Sequence, residues 1–117
     1  MKKPLFILLI FHLHLSAQNE FITKWTSSDG EIVISLDNDY TYDYNIEWSS
    51  VNTISFSGSA INQNADFTIT NIPIGDTVIV KIDGDFPSFK MFNSSNVNRS
   101  KILDVIQWGE YRVARSF

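Results

Sequence analysis

The chain has 117 residues, of which 44% are hydrophobic and 14% aromatic, with nine Lys and Arg, thirteen Asp and Glu and no Cys. Its formal charge of −4 repels phosphate backbones and argues against a nucleic-acid partner. The length suffices for one domain with a single hydrophobic core and is too short for two.

The first seventeen residues have the pattern of an export signal. Two lysines precede an apolar stretch at 5–15, and small residues lead to a cleavage point between Ala17 and Gln18. A membrane-spanning helix needs about 20 apolar residues, so this stretch is too short to cross a bilayer. We therefore expect residues 1–17 to be a signal peptide. The mature chain, without a membrane span, would be secreted or displayed on the cell surface, or periplasmic if surface sorting is lost.

Removal of this segment also removes both histidines, His12 and His14, so residues 18–117 contain neither His nor Cys. A Ser-His-Asp or Cys-His nucleophile is then excluded within the chain, and zinc and copper lose their usual ligands. The mature chain would keep seven Lys and Arg against thirteen Asp and Glu, a formal charge of −6. We expect a protein that is not an enzyme and has no cofactor.

Alternating hydrophobicity predicts several strands. At 31–36 the apolar positions are Ile32, Ile34 and Leu36. The clearest alternation, at 40–48, has an apolar or aromatic residue at every even position: Tyr40, Tyr42, Tyr44, Ile46 and Trp48. Period two places this tyrosine row on one face of a strand, and such residues suit a half-buried pleated surface. We expect the row to face the core, with a sugar-stacking platform as the alternative.

Further alternation predicts strands at 53–57, with Ile54 and Phe56 apolar, and at 66–70, and the β-branched run at 77–82 predicts a central strand. Trp25 and Trp108 lie outside the tyrosine row, and either is a candidate for exposure. Turn residues separate the strands at 28–30, 37–39, 62–64, 75–76 and 83–85. Short strands at this spacing predict an all-β chain folded as an antiparallel β-sandwich.

Four sequence pieces carry a family resemblance: FITKW at 21–25, YNIEW at 44–48, VKIDGDFP at 80–87 and ILDVIQWG at 102–109. In this order the mature chain resembles the N-terminal region of BspA-type leucine-rich-repeat surface proteins of Bacteroidetes-like bacteria. The resemblance implies an immunoglobulin/PKD-like sandwich at 18–92. Trp48 is followed here by SSVN instead of the Gly-Asp-Gly of the family, and the Thr-Tyr pair common ahead of the last strands is replaced around 68–70. No loop-borne function can therefore be carried over.

The C-terminal part has two interpretations. The polar stretch 93–100 reads as a linker. The resemblance implies that 101–117 begins a truncated repeat array, whose cap strand would need a neighbour; the alternative is the last strand of the sandwich. In the first case, self-association is expected through the apolar residues Ile102, Leu103, Val105, Ile106 and Trp108.

Three polar patterns are candidate sites. Asp37, Asp39 and Asp43 are spaced as calcium ligands can be, although a solvated turn explains them better because the rest of an EF-hand loop is missing. Asp83 and Asp85 flank a glycine and could form an acid–base pair for glycoside cleavage, although such pairs are common in turns. Through the resemblance, Thr77 within Asp-Thr-Val is a weak match to the O-glycosylation site of exported proteins in these bacteria.

The sequence therefore favours a secreted or surface interaction module of the adhesin type, with an unknown protein or glycan on a cell or matrix surface as its partner. The alternative is a carbohydrate-binding or calcium-dependent accessory domain of an exported enzyme.

Overall fold

The computed structural model describes residues 19–90, 96–109 and 114–116. The predicted signal peptide and its cleavage point at Ala17 and Gln18 lie outside these residues. The strands, in chain order, are β1 (Phe21–Thr26), β2 (Ile32–Ile34), β3 (Asp43–Ser50), β4 (Ser57–Gln63), β5 (Phe67–Ile69), β6 (Thr77–Asp85), β7 (Ser88–Lys90), β8 (Ile102–Trp108) and β9 (Ala114–Ser116). A single helical turn, α1 (Asn96–Arg99), precedes β8.

Five strands form the main sheet in the order β4-β3-β6-β1-β8, and all its neighbours are antiparallel. β2 and β5 form an antiparallel pair of their own, and β7 and β9 form a short parallel pair. The expected all-β, antiparallel, sandwich-like fold is thereby confirmed.

The core lies between the inward side of the main sheet and the β2–β5 pair. Period-two alternation puts one side of each strand there: on the central strand β6, Val78, Val80 and Ile82 are buried. Ile32 and Ile34 of β2 face them from the opposite layer and belong to the same buried cluster. Burial of such apolar surface is the main stabilising contribution to the fold.

Aromatic rings fill one half of this core. The ring centroid of Phe86 lies 5.2 Å from that of Tyr44 and 5.4 Å from that of Tyr42. Phe21 packs against Phe89 at 5.2 Å. Edge-to-face contacts at these distances add to the stabilisation that area burial provides.

The prediction that the tyrosine row faces the core is correct for the middle of the row and wrong for its first residue. Tyr42, Tyr44 and Ile46 are buried, and Trp48 is half-buried against Phe67 with ring centroids 5.3 Å apart. Tyr40, however, precedes the strand and is 48% exposed. The Tyr40 N–H donates to the Asp37 carbonyl (3.1 Å) and closes a turn. Because Tyr40 lies in this turn, it does not follow the inward–outward alternation of the strand.

Four other predictions fail, wholly or in part: one strand, two turns and the suggested exposure of Trp25. Residues 53–56 form a turn rather than a strand, and the strand β4 runs over 57–63, partly across the predicted turn at 62–64. The expected turn at 83–85 is the end of β6; Gly84 has a φ of 94°, and a Cβ there would lie 2.8 Å from the Asp43 carbonyl oxygen. Trp25 is fully buried and donates its indole N–H to the Thr23 hydroxyl at 2.7 Å.

The segment 102–108 is the edge strand β8, antiparallel to β1 with two register shifts. Ile102, Val105 and Trp108 pack against the core, whereas Leu103 and Ile106 are exposed. In the stretch predicted as a linker, the Asn98 amide bonds both the N–H and the carbonyl of Val33, each at 2.9 Å. The described part of that stretch is therefore attached to β2.

Candidate functional site

The carboxylates considered for calcium lie at the end of the sandwich where β3 begins. One oxygen of Asp37 accepts the Asp39 N–H at 3.1 Å, which makes Asp37 a turn-forming residue. Asp43 is exposed at the start of β3, opposite Asp85 of β6. Within 19–90, 96–109 and 114–116, no three acidic or histidine side chains lie close enough to hold a metal ion.

Asp83 and Asp85, considered as an acid–base pair, are exposed on β6. Their neighbours on β3 are Asn45 and Asp43. Asp83 lines an open depression with Glu20, Glu47 and Lys81, whereas Asp85 is not among its lining residues, so the two carboxylates do not face one common cleft.

The buried tyrosines cannot present their rings to a sugar. The Tyr42 hydroxyl accepts the Asp37 N–H (3.1 Å) and donates to the Ser88 carbonyl (2.9 Å). The Tyr44 hydroxyl donates to the Ala65 carbonyl at 2.6 Å. Burial raises the pKa of Tyr44 to about 12, with smaller contributions from Asp66 and Tyr42. Both hydroxyls are satisfied within the protein, so these tyrosines serve the fold.

Three loops gather at the opposite end of the sandwich, and we call this region the loop end: residues 27–31, 51–56 and 70–76. Backbone hydrogen bonds join the loops directly. The Gly75 N–H donates to the Ser27 carbonyl (3.0 Å), and the Val51 N–H donates to the Thr77 carbonyl at the start of β6 (2.8 Å). The three loops therefore form one continuous surface.

Two tight turns form the tip of the loop end. In one, the Phe56 N–H donates to the Thr53 carbonyl at 2.9 Å. In the other, the Asp76 N–H donates to the Pro73 carbonyl at 3.1 Å. Ile54 and Ile74 each occupy the second position of their turn. Gly75 follows Ile74 with a φ of 85°, which is the geometry that a type II turn requires at its third position.

One carboxylate holds the two turns together. Asp76 Oδ2 accepts hydrogen bonds from the Ser50 hydroxyl (2.7 Å) and from the Thr53 hydroxyl (2.6 Å). The Ser50 hydroxyl in turn accepts the N–H groups of Asn52 (3.1 Å) and Thr53 (2.9 Å). Because the last residue of one turn bonds the first residue of the other, the two turns are fixed relative to each other.

We call the hydrogen bonds of Asp76 to Ser50 and Thr53 the clamp. The side chains on and beside the two turns that it joins are aliphatic and exposed. Ile54 is 95% exposed, Ile74 67% and Val51 61%. Single exposed apolar residues are normal on a protein surface, whereas a group of them on neighbouring turns is a candidate interaction site. Apolar side chains held on rigid turns are suited to entering a pocket of a partner, since little conformational entropy is lost on binding.

Thr77, the candidate for O-glycosylation, borders the loop end. Its N–H donates to the Asn52 side-chain oxygen at 2.8 Å, and its carbonyl accepts the Val51 N–H. The residue is half-buried at the first position of β6. Glycosylation at Thr77 stays a prediction.

The loop end is not apparent from the sequence pattern, because Ile54 and Phe56 fit a period-two alternation. The opposing signal was present in the same stretch: Ser50, Asn52 and Thr53 are residues whose side chains bond nearby backbone groups and so favour turns over strands. Asp76, which completes the clamp, is distant in sequence, and its role needed the structure.

The tip of the loop end thus presents exposed aliphatic side chains on two turns that part-buried hydrogen bonds join. The described residues contain no helix long and apolar enough to cross a membrane. Comparisons of the chain with family models, with curated proteins and with solved structures found no match.

Proposed function

We propose that this protein is a secreted or surface-displayed, non-enzymatic interaction module of the adhesin type that binds a partner protein through its loop end. The observation that carries the proposal is the pair Ile54 and Ile74, exposed on turns that Asp76 clamps together. Export is supported by the signal-peptide pattern at 1–17, and the absence of His and Cys from 18–117 argues against common nucleophilic catalysis.

The chemistry of the tip favours a protein over a glycan. Its exposed side chains are aliphatic, and they offer neither the ring face nor the convergent polar groups by which a sugar is recognised. Tyr40, an exposed aromatic residue, lies at the other end of the sandwich. The partner surface is expected to be an apolar depression with a neutral or basic rim, because the mature chain carries an excess of acidic residues.

The family relationship belongs to the same proposal. The ordered pieces at 21–25, 44–48, 80–87 and 102–109 support a PKD-like type of sandwich related to BspA-type surface proteins. An N-terminal sandwich in such proteins would present its loops away from any following segment, which suits a contact made by loop tips.

The experiment is a parallel screen of the purified protein on an array of extracellular-matrix and serum proteins and on a glycan array, each with and without calcium. Calcium-independent binding to one or a few proteins is expected. Calcium-dependent binding to glycans alone would support the rival function, an accessory domain of an exported enzyme.

A further inference from the structure

The outer edge of β4 carries no charged side chain. Residues 51–65 contain no Asp, Glu, Lys or Arg, although the chain as a whole has twenty-two such residues among 117. β4 itself reads SGSAINQ and lies at the end of the main sheet, with β3 as its only neighbour among the described strands. Long, uncharged edge strands are the surfaces on which further strands add.

The hydrogen-bonding phase of the β3–β4 ladder shows which groups of β4 point outward. The Ser50 N–H donates to the Phe56 carbonyl at 3.0 Å, so Ser50 and Phe56 are a hydrogen-bonded pair. Hydrogen-bonded pairs alternate along an antiparallel ladder, and the register then makes Trp48 and Gly58 the next such pair. The backbone N–H and carbonyl groups of Ser57 and Ser59 therefore point away from the sheet.

The opposite edge of the sheet is protected. β8 is interrupted by two register shifts against β1 and carries Asp104 in its middle. Bulges and charges are the devices that prevent edge strands from pairing. β4 has one bulge, near Asn62, and it lies beyond the regular segment 57–60.

We propose that β4 is a homodimerisation edge, on which the β4 strand of a second copy pairs in antiparallel orientation. Two-fold symmetry about Gly58 places Ser57 of each copy opposite Ser59 of the other, so the outward groups of both residues are satisfied by four hydrogen bonds. The two Gly58 residues then lie opposite each other, with no side chain between them. Within each copy the Trp48 ring occupies the space beside Gly58, where a Cβ would lie 2.4 Å from the ring.

The charge distribution permits two acidic molecules to meet at this edge. The nearest charged residue in the row is Glu47, the partner of Ser59 on β3. In the dimer the two Glu47 residues are separated by three strand spacings across the sheet, about 14 Å, and by a further offset of two residues along the strands. Their distance therefore exceeds the Debye length of about 8 Å at physiological salt. A second copy therefore meets small, neutral side chains across the new strand pair and little repulsion.

The interface is small, so a reversible monomer–dimer equilibrium is expected rather than an obligate dimer. Sedimentation equilibrium of the purified protein over a concentration series measures it. Ser59→Pro removes an outward-pointing N–H, a position where an edge strand tolerates proline. Two hydrogen bonds are lost per dimer, which should raise the dissociation constant about tenfold or more. Ser59→Thr, which keeps the N–H, is the matched control and should dimerise like the wild type.

Ile106→Lys distinguishes dimerisation through β4 from self-association through β8. Of the apolar residues of β8, Leu103 and Ile106 are the exposed ones, so association through that strand would depend on them. This variant should dimerise normally. A monomeric wild type at every concentration, or a loss of dimer in Ile106→Lys but not in Ser59→Pro, would overturn the proposal. Amide hydrogen exchange of the wild type gives a check independent of the variants' folding: exchange at Ser57 and Ser59 should slow with rising concentration, and unchanged rates would also count against the β4 edge.

Discussion

Lys101 Nζ lies 2.7 Å from Asp29 Oδ1 and 2.8 Å from the carbonyl oxygen of Glu31, which joins the start of the last long strand to the first loop. Lys101 is only 5% exposed, whereas Asp29 is 49% exposed. Its backbone takes part as well, since the Thr26 N–H donates to the Lys101 carbonyl at 2.8 Å. Residues 72 positions apart are thus held together at the base of the loop end.

Replacement of Lys101 with Met should destabilise the protein by about 1–3 kcal/mol, because a charge-assisted bond and a bond to the Glu31 carbonyl are lost at a buried position. Lys24→Met is the control: Lys24 is half-buried on the outward face of β1, and its replacement should change stability by less than about 0.5 kcal/mol. Urea denaturation of both variants measures the difference. Equal stabilities would show that the Lys101 contacts contribute nothing net.

The same pair makes a prediction about pH. The Lys101 hydrogen bond, followed by the bond from the Glu31 N–H, lowers the pKa of Asp29 below its ordinary value of 3.8. A lowered pKa in the folded state contributes stability at pH values above 3.8, and this contribution is lost as the pH falls through the lowered pKa. Asp29→Asn should therefore lose less stability than the wild type between neutral pH and pH 3. A parallel decline of both proteins in urea titrations would contradict the assignment.

The face assignment of β3 is tested by a matched pair of tyrosines. Tyr44 is fully buried and packs against Phe86, so Tyr44→Asp should cost about 3–5 kcal/mol by burying an unpaired charge. Tyr40→Asp, four residues earlier and exposed, should cost less than about 0.5 kcal/mol. Thermal unfolding followed by circular dichroism compares them. If Tyr44→Asp melted like the parent, Tyr44 would not face the core.

Removal of residues 101–117 should unfold the protein. The deletion takes away β8, the strand that covers β1, together with the buried Lys101. A folded, better-behaved monomer is what a repeat-array cap on a separate linker would give, and that outcome would contradict the role of β8 in the sheet.

A pair of substitutions tests which side of β8 faces the core. Val105→Asp, on the core-facing side, should destabilise the protein strongly, and Leu103→Asp, on the exposed side, should not. Near-UV circular dichroism reports the packing in each case.

The sequence was sufficient to predict the fold class and several strands, and it failed where long-range contacts decide local structure. At 42–48 and 77–82 alternation and β-branched residues agree with the burial that the fold imposes. At 53–57 the same alternation is overridden, because the hydroxyls of Ser50 and Thr53 bond Asp76, more than twenty positions away. At 83–85 turn-forming residues lie in a strand, because pairing with β3 extends β6 to Asp85.

The candidate site was less predictable than the fold for a related reason. An exposed Ile54 and a buried Ile46 have the same side chain, so hydrophobicity alone cannot distinguish the loop end from the core. What distinguishes them is the position of Ile54 in a turn, together with the clamp that joins that turn to Ile74. Neither is visible in a period-two pattern.

The most direct test of loop-end binding uses the array protein that retains the purified wild type most strongly. Surface plasmon resonance against that protein compares the wild type with Ile54→Asp/Ile74→Asp and with the control Val97→Asp. Val97 is also an exposed apolar residue, but it lies on α1, outside the three loops that make up the loop end. We predict that the double variant, still folded, loses binding at least a hundredfold, since two apolar anchors typically contribute more than about 2.7 kcal/mol, and that Val97→Asp binds like the wild type. Undiminished binding by Ile54→Asp/Ile74→Asp, or an equal loss in Val97→Asp, would contradict the claim that the loop end is the binding surface.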